Sequence, residues 1–329
     1  MSNKNLILNK MVNLDYSPKW EFRDKNITLI KLLDSLKIKK WNKEQVNNLL
    51  FVGLGGIGDE FIFSRYGKIL KEYAITLDYT STNGLEYIIN QIPHFNEVWN
   101  VQYTPHCFEI DNDYNINKFK KYDAWYSPFF EMDSNNNGVV KCLDSEWTEQ
   151  YLFNLPEYDR KWEHLTRTDK PKIGIRFAGN FRTDTYLGRT LPIEKIVNLF
   201  DEKYELFSLQ CMEGLEKSQE LGLITLENEI KNWYDTFSFL KCLDVVITSC
   251  SSVAHASAIL DVKTFVLVPY NSYFIWKECD NNNHYSSWYD KNVICLRQHK
   301  KGDWSYPLQQ IKQYLGLSDN NKKSVFNYV

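Results

Sequence analysis

Three clusters of residues carry types and spacings that could do chemistry. The first is Gly53-Leu54-Gly55-Gly56-Ile57-Gly58-Asp59, a glycine-rich turn closed by a carboxylate. In letters it matches the Gly-x-Gly-x-x-Gly dinucleotide fingerprint, whose glycines let the backbone approach a pyrophosphate at a helix N-terminus. Asp78 stands twenty positions after Gly58, where such sites place a ribose-binding acid. The pattern therefore admits an NAD(P)-dependent oxidoreductase using Gly53, Gly55, Gly58 and Asp78. Asp59 argues the other way, because it puts negative charge where the pyrophosphate would lie. Helix-end amides hold such a carboxylate as an ion by about 0.3–1 kcal/mol, and its plain alternative is a helix cap.

The second cluster, Thr248-Ser249-Cys250-Ser251-Ser252-Val253-Ala254-His255, follows an apolar strand and opens a helix. Hydroxyls and backbone amides converging at a helix start can hold phosphate without a metal; a plain serine N-cap is the competing reading. His255, one turn into the helix, is either a donor to phosphate or sugar or a packed core residue. The third cluster, Gly179-Asn180-Phe181-Arg182-Thr183-Asp184 with Arg189-Thr190-Leu191-Pro192, follows another strand. It sets two guanidinium groups near a strand's carboxyl end, the edge where open α/β sheets bind ligands, or else it carries solvated surface arginines. Other patterns fail. Asp111-Asn112-Asp113 has the letters of a metal-binding D-x-D but no strand before it, and the run from Asp133 to Asp144 resembles a calcium loop without the bidentate Glu. No G-x-S-x-G occurs, and the six histidines show no metal-ligand spacing.

The elements that must position these clusters alternate. The apolar run Leu49-Leu50-Phe51-Val52 breaks into the glycine turn and then into the helical stretch 60–70. Strands at 73–77 and 97–101, with a helix around 85–91 between them, imply parallel β-α units. A strand is expected at 124–127, inside the Asp-, Asn- and aromatic-rich stretch 104–137. Beyond a charged linker at 156–170, strands are expected at 172–177, 205–209, 244–248 and 264–268, with helices at 193–200, 236–242 and 253–260. Ahead of all this, Ile27, Ile30, Leu33, Leu36 and then Trp41 predict an amphipathic helical extension. The expected organisation is an α/β chain with an extension at 1–48, one Rossmann-like domain at 49–165 and a second at 166–329.

Composition agrees with two ordinary globular domains. The 329 residues are 43% hydrophobic and 25% charged, with a net charge of −3 that gives no global reason to bind nucleic acid or an anionic membrane. The Lys-rich stretch 37–43 reads as a solvated face, or as a local contact for a polyanionic acceptor such as modified DNA. Seven scattered cysteines without a C-x-x-C pair indicate neither a disulfide framework nor a zinc site and suit a reducing cytoplasm. The opening residues lack a signal-peptide pattern, and no apolar run approaches the ~18 residues of a membrane span.

Leu50-Phe51-Val52-Gly53-Leu54-Gly55-Gly56-Ile57-Gly58-Asp59-Glu60-Phe61-Ile62-Phe63-Ser64-Arg65-Tyr66 resembles the "GLGD-x-x-x-F-x-R-Y" opening of glycosyltransferase domains related to the ADP-heptose heptosyltransferases (glycosyltransferase family 9), especially those behind tetratricopeptide repeats. The run from Leu243 through His255 resembles the same family's "D-T-S-V-A-H" turn, and Ile173-Gly174-Ile175-Arg176-Phe177-Ala178-Gly179-Asn180, Phe207-Ser208-Leu209-Gln210 and Trp304 are similar to its "GLVWAGN", "SLQ" and "GDW" segments. The resemblance departs at Cys250, where the family has an acidic residue, at Arg176, where it often has Trp, and in lacking the repeats.

The resemblance implies the GT-B fold, two Rossmann-like domains facing across a cleft, the first for the acceptor and the second for a nucleotide-sugar. It implies an inverting, metal-independent glycosyltransferase for a hexosyl, pentosyl or heptosyl group, with no cofactor and with a saccharide, a protein or modified DNA as hydroxyl acceptor. Asp59 carries over as general base, a role worth ~10²–10⁴ in rate. Arg189, in an R-x-x-P run, carries over as the phosphate-binding cation, helped by Ser251, Ser252 and the helix start at Val253. Gln210, Asn180 and His255 are expected at the nucleotide or sugar, and Gly56, Gly58 and Arg65 on the acceptor-side loop. A non-catalytic binding protein on the same fold is the further alternative, and oligomeric state is left open.

Overall fold

The computed structural model describes residues 20–102, 111–128, 159–179, 184, 188–211, 214–272, 274–276, 284–286, 288–289 and 291–317. In chain order the first half contains α1 (Trp20–Ser35), β1 (Lys39–Lys40), β2 (Val46–Val52), α2 (Ile57–Phe63), α3 (Gly67–Leu70), β3 (Ala74–Ser81), α4 (Glu86–Ile89), β4 (Val98–Asn100), α5 (Asn112–Phe119) and β5 (Ala124–Tyr126). The second contains β6 (Lys172–Arg176), α6 (Ile193–Val197), β7 (Glu205–Ser208), α7 (Leu215–Glu220), β8 (Ile224–Thr225), α8 (Trp233–Leu240), β9 (Val245–Ser249), α9 (Ser252–Ile259), β10 (Thr264–Val268), β11 (Val293–Arg297) and α10 (Ser305–Leu315).

The strands form two sheets, ordered β1-β5-β2-β3-β4 and β11-β10-β9-β6-β7-β8. Every pairing is parallel. Parallel strands are covered on both faces, so the central ones read as unbroken apolar runs: Leu49 through Val52, and all of β9 and β10, are buried. In each sheet the chain builds outward from one central strand and then returns to its other side. That reversal lies between β2 and β5 in the first sheet and between β6 and β9 in the second. Ligands of open α/β sheets bind at the carboxyl ends of strands beside such a switch. The glycine turn follows β2, the Gly179 and Arg189 loop follows β6, and the serine turn follows β9.

One apolar cluster runs through both halves, joining Phe51, Phe61 and Tyr79 of the first to Phe237, Val253 and Trp276 of the second. A second cluster seats α6 and α10 on the second sheet, and a third seats α1 on the first. The N-terminal helix buries Leu29 and Leu33, a four-residue step; of the expected series from Ile27, Leu33 is buried and Ile30 and Leu36 are half-buried, while Trp41 lies beyond the helix against Tyr73 and Tyr126. The i, i+4 pair faces the sheet because 3.6 residues make a turn. From residue 39 the chain enters the first sheet: Lys39 pairs with Ala124 in an edge strand whose exposed lysines discourage pairing with another chain. Part of the expected linker is packed as well. Trp162 is fully buried and donates from its indole to Ser238 Oγ at 2.8 Å, and Lys161 pairs with Asp235 at 2.8 Å. Asp111 caps α5, accepting from Tyr114 N at 3.0 Å, and the calcium-like run from Asp133 lies outside the described residues.

Candidate active site

After β2 the backbone turns through Gly55, whose φ of +94° is open to glycine and strained for other residues, and enters α2 with Gly56 as N-cap. Asp59, in the first helical turn and half-buried, folds back over the turn: its Oδ2 accepts from Gly56 N at 2.7 Å. The cap and the helix dipole both favour its ionised form.

The serine turn after β9 is built differently. Ser251 is the N-cap of α9 but its side chain accepts no helix amide; its hydroxyl instead meets Thr248 Oγ1 at 3.1 Å. Ser251 and Ser252 are half-buried, Val253 is buried, and no acid stands in the first turn. Cys250 turns its thiol inward toward the Leu267 carbonyl, at 4.0 Å.

The loop after β6 delivers Arg189 to this turn. Its Nη1 donates to the Cys250 carbonyl at 3.4 Å and its Nη2 pairs with Asp184, which also accepts from Gly179 N at 2.5 Å. Asp184 is buried, so it anchors the guanidinium while offsetting part of its charge. Among the described residues Arg189 Nε and the fully buried Ser249 Oγ have no hydrogen-bond partner. Gln210 is buried and braces the same loop, accepting from Ala178 N at 3.2 Å. Arg176 turns toward the next strand end, donating to Leu209 O at 2.5 Å. Asn180 lies outside the described residues.

The two turns meet. Helices α2 and α9 pack against each other so closely that a Cβ on Gly58 would come within 2.7 Å of His255 Cδ2. His255 is 5% exposed, stacked on Trp276 with 12° between the ring planes, and hydrogen-bonded through Nδ1 to the Tyr289 hydroxyl. Burial, and then the nearby Arg65 guanidinium, push its pKa down to about 3, so it is a neutral imidazole in the seam between the halves. Arg65 crosses that seam, donating to Trp288 O at 2.7 Å and lying 5.2 Å over the Tyr289 ring. On the same seam Phe61 packs edge-on against Trp233 and Phe237.

Asp78 sits in the middle of β3, not at its end. Its carboxylate accepts from Tyr122 OH at 2.8 Å and Glu97 N at 3.0 Å and pairs with Lys121 at 2.7 Å. These bonds make it a buried strut joining β3 to its neighbours. Among the described residues no three His, Cys, Asp or Glu side chains are grouped to hold a metal ion, and no helix is long and apolar enough to cross a membrane.

Glu60, Tyr289 and, as the partner of Arg189, Asp184 join the site in roles that the sequence patterns do not mark. Glu60 is fully buried, and desolvation raises its carboxyl pKa to about 7 against four hydrogen-bonding neighbours. Its burial had a signal: Ile57, Glu60, Phe61 and Ser64 share one helix face.

No family model matches the chain, and no curated protein matches it. Solved structures do. The chain is similar to the family 9 glycosyl transferase from Veillonella parvula DSM 2008 (13% identity, TM-score 0.59, over 84% of this chain and 94% of that one). It is similar to the E. coli ADP-heptose lipopolysaccharide heptosyltransferase II (13%, 0.57, 82% and 97%). The third is an E. coli heptosyltransferase with ADP-2-deoxy-2-fluoro heptose (13%, 0.54, 82% and 99%). The chain has the two-domain α/β fold of GT-B glycosyltransferases.

Proposed function

We propose that the chain is an inverting glycosyltransferase that moves a sugar from a nucleotide donor to a hydroxyl acceptor without a metal. The observation that carries this reading is the meeting of the two turns: a glycine turn bearing a carboxylate packs, through α2 and α9, against a serine turn bearing a guanidinium.

Attack of a hydroxyl on the anomeric carbon releases the nucleoside diphosphate from the opposite face, so one displacement inverts the centre. The acceptor oxygen must lose its proton as it attacks, and Asp59, ionised under its cap, takes it. The departing diphosphate gains charge. Arg189, the Ser251 and Ser252 hydroxyls and the amides opening α9 at Val253 meet that charge with preorganised donors. The orphaned Arg189 Nε supports an anion here, since buried polar atoms ordinarily have partners. Gln210 braces the loop that carries Arg189, and Asn180 stands on that loop in the sequence. His255 contributes packing and a fixed neutral ring. In this reading the acceptor is a saccharide, a protein or modified DNA, and the enzyme works in the cytoplasm. Cys250 stands where the resemblance places an acidic residue, and its thiol turns inward toward the Leu267 carbonyl, so it supplies no carboxylate to the donor.

The oxidoreductase alternative needs Asp78 for a ribose, and its carboxylate is already taken up by Tyr122, Lys121 and the Glu97 amide. A thermal-shift series with ADP-, UDP-, GDP-, CMP- and dTDP-sugars and with NAD(P)(H), followed by an assay for released nucleotide, separates the readings. Saturating ligand at ~100 times its dissociation constant adds about 2.7 kcal/mol. ADP-sugars come first because a structurally similar enzyme holds an ADP-heptose analogue. Stabilisation by a nucleotide-sugar with turnover is expected; a response to NAD(P) alone overturns the proposal.

A further inference from the structure

Glu60 is a buried acid for which the proposed chemistry has no use. It is completely enclosed and so does not reach an acceptor. Every group bonded to it is a donor. Oε1 accepts from Thr82 N at 3.0 Å and from Asn83 Nδ2 at 2.6 Å, and Oε2 accepts from Tyr79 OH at 3.1 Å. The same two residues after β3 also hold the glycine turn. Thr82 Oγ1 donates to Gly53 O at 2.8 Å, and Asn83 Nδ2 donates to Gly55 O at 3.2 Å. Glu60 thus sits at the centre of a buckle that grips the turn at residues 53 and 55, one residue before the Gly56 amide on which Asp59 closes.

We propose that Glu60 is a positioning residue: through Thr82 and Asn83 it holds the glycine turn in the form that Asp59 caps, and so sets where the Asp59 carboxylate stands. The inference rests on Asp59 acting as read above and extends it to a residue that never touches substrate. A carboxylate accepts all of these bonds at once, whereas a carboxylic acid turns one oxygen into a donor that the Thr82 amide and the Asn83 NH2 cannot accept, so the Tyr79 hydroxyl on Oε2 has to reverse its bond. Burial works in the opposite sense and lifts the group into the neutral range, so the grip is pH-dependent there. The groups facing Glu60 are the Tyr79, Ser81 and Thr82 hydroxyls, the Thr82 amide and the Asn83 side chain, and Tyr79 is the titratable one among them.

Two variants test this in the full chain, after a melting curve confirms that each folds. Glu60→Gln keeps the shape and removes the charge. Asn83→Leu cuts the link to Gly55 and leaves Glu60 its bonds to Thr82 and Tyr79. Deuterium exchange in the peptide covering 53–58 is expected to rise about tenfold in both, the worth of one hydrogen bond to a charged group, while 248–254 is unchanged. Turnover is expected to fall about tenfold or more at constant donor KM, because small misplacements of a reacting group are costly. A rise of kcat through neutral pH is expected in the wild-type chain, is expected to be absent in Glu60→Gln, and is expected at higher pH in Asn83→Leu, which loses a bond that lowers the Glu60 pKa. Unchanged exchange at 53–58 in both variants overturns the proposal, as does a loosened turn with unaltered kcat and pH profile. If the wild-type chain turns over no nucleotide-sugar, the transferase reading fails by itself, and exchange at the Gly56 amide still decides whether Glu60 positions Asp59.

Discussion

After β2 the chain turns through glycines into α2, and after β9 it turns through serines into α9. Both are strand–turn–helix units at a switch in strand order, yet their helix starts are finished in opposite ways. The first turn carries its own anion: Asp59 closes on the Gly56 amide from the first turn of the helix, and Glu60 follows it into the core. The second has no acid, no side-chain cap and an arginine brought in from the loop after β6. A helix start already neutralised by carboxylate repels phosphate, and one left without an acid attracts it. The same backbone device therefore serves a base on one side of the seam and a leaving group on the other.

Removing the charge from the first turn is the largest expected perturbation. Asp59→Asn should lower turnover by about two to four orders of magnitude with donor affinity retained. Steady-state kinetics beside a donor titration checks this, and unchanged turnover takes Asp59 out of the reaction. On the second turn, Arg189→Gln should weaken nucleotide binding by about ten- to a hundredfold, the range for hydrogen bonds to charged groups. Calorimetry reads it directly, and an unaltered dissociation constant removes Arg189 from the donor site. A melting curve separates this from the cost of leaving the buried Asp184 without its cation.

The seam between the turns is tested by Gly58→Ala, whose methyl would overlap the His255 ring. Overpacking of this kind costs about 1–3 kcal/mol, and a chemical melt with no change in midpoint would show that the helices separate freely. The smallest effect is a cancellation. His255, lowered to about 3 from 6.5, contributes stability that is present above pH 6.5 and lost as pH falls. Glu60, raised to about 7 from 4.5, contributes stability that is present below pH 4.5 and lost as pH rises. Between 4.5 and 6.5, unfolding adds a proton to His255 and takes one from Glu60, so the two slopes cancel. In Glu60→Gln the His255 slope should stand alone, stability rising with pH by about 1.4 kcal/mol per unit. Parallel melting profiles for the variant and wild type would refute the cancellation.

Much of this architecture is legible in the letters, and the exceptions have physical causes. The apolar stretches 49–52 of β2, 173–175 of β6 and 245–247 of β9, and β10, announce themselves because strands buried on both faces carry apolar runs. β1 and β8, two residues each, have no periodicity to read and exist through pairing with Ala124 and Phe207 and their neighbours. β11 is apolar too, but pairing with β10 is what makes Val293–Arg297 a strand. Asp78 shows the limit most plainly: its distance from the glycines suits a ribose, whereas its place in mid-strand commits it to Tyr122 and Lys121.

What the sequence determined by itself is local: the apolar runs, the glycine and serine turns, and the carboxylate or hydroxyls at each helix start. These depend on residues a few positions apart, where sterics, caps and periodicity act. The tertiary structure decided what faces what. It set Gly58 against His255, brought Arg189 to the carbonyl of Cys250 and enclosed Glu60 among donors. It also decided which of these groups carry charge, because desolvation depends on every atom that surrounds a group and not on its neighbours along the chain.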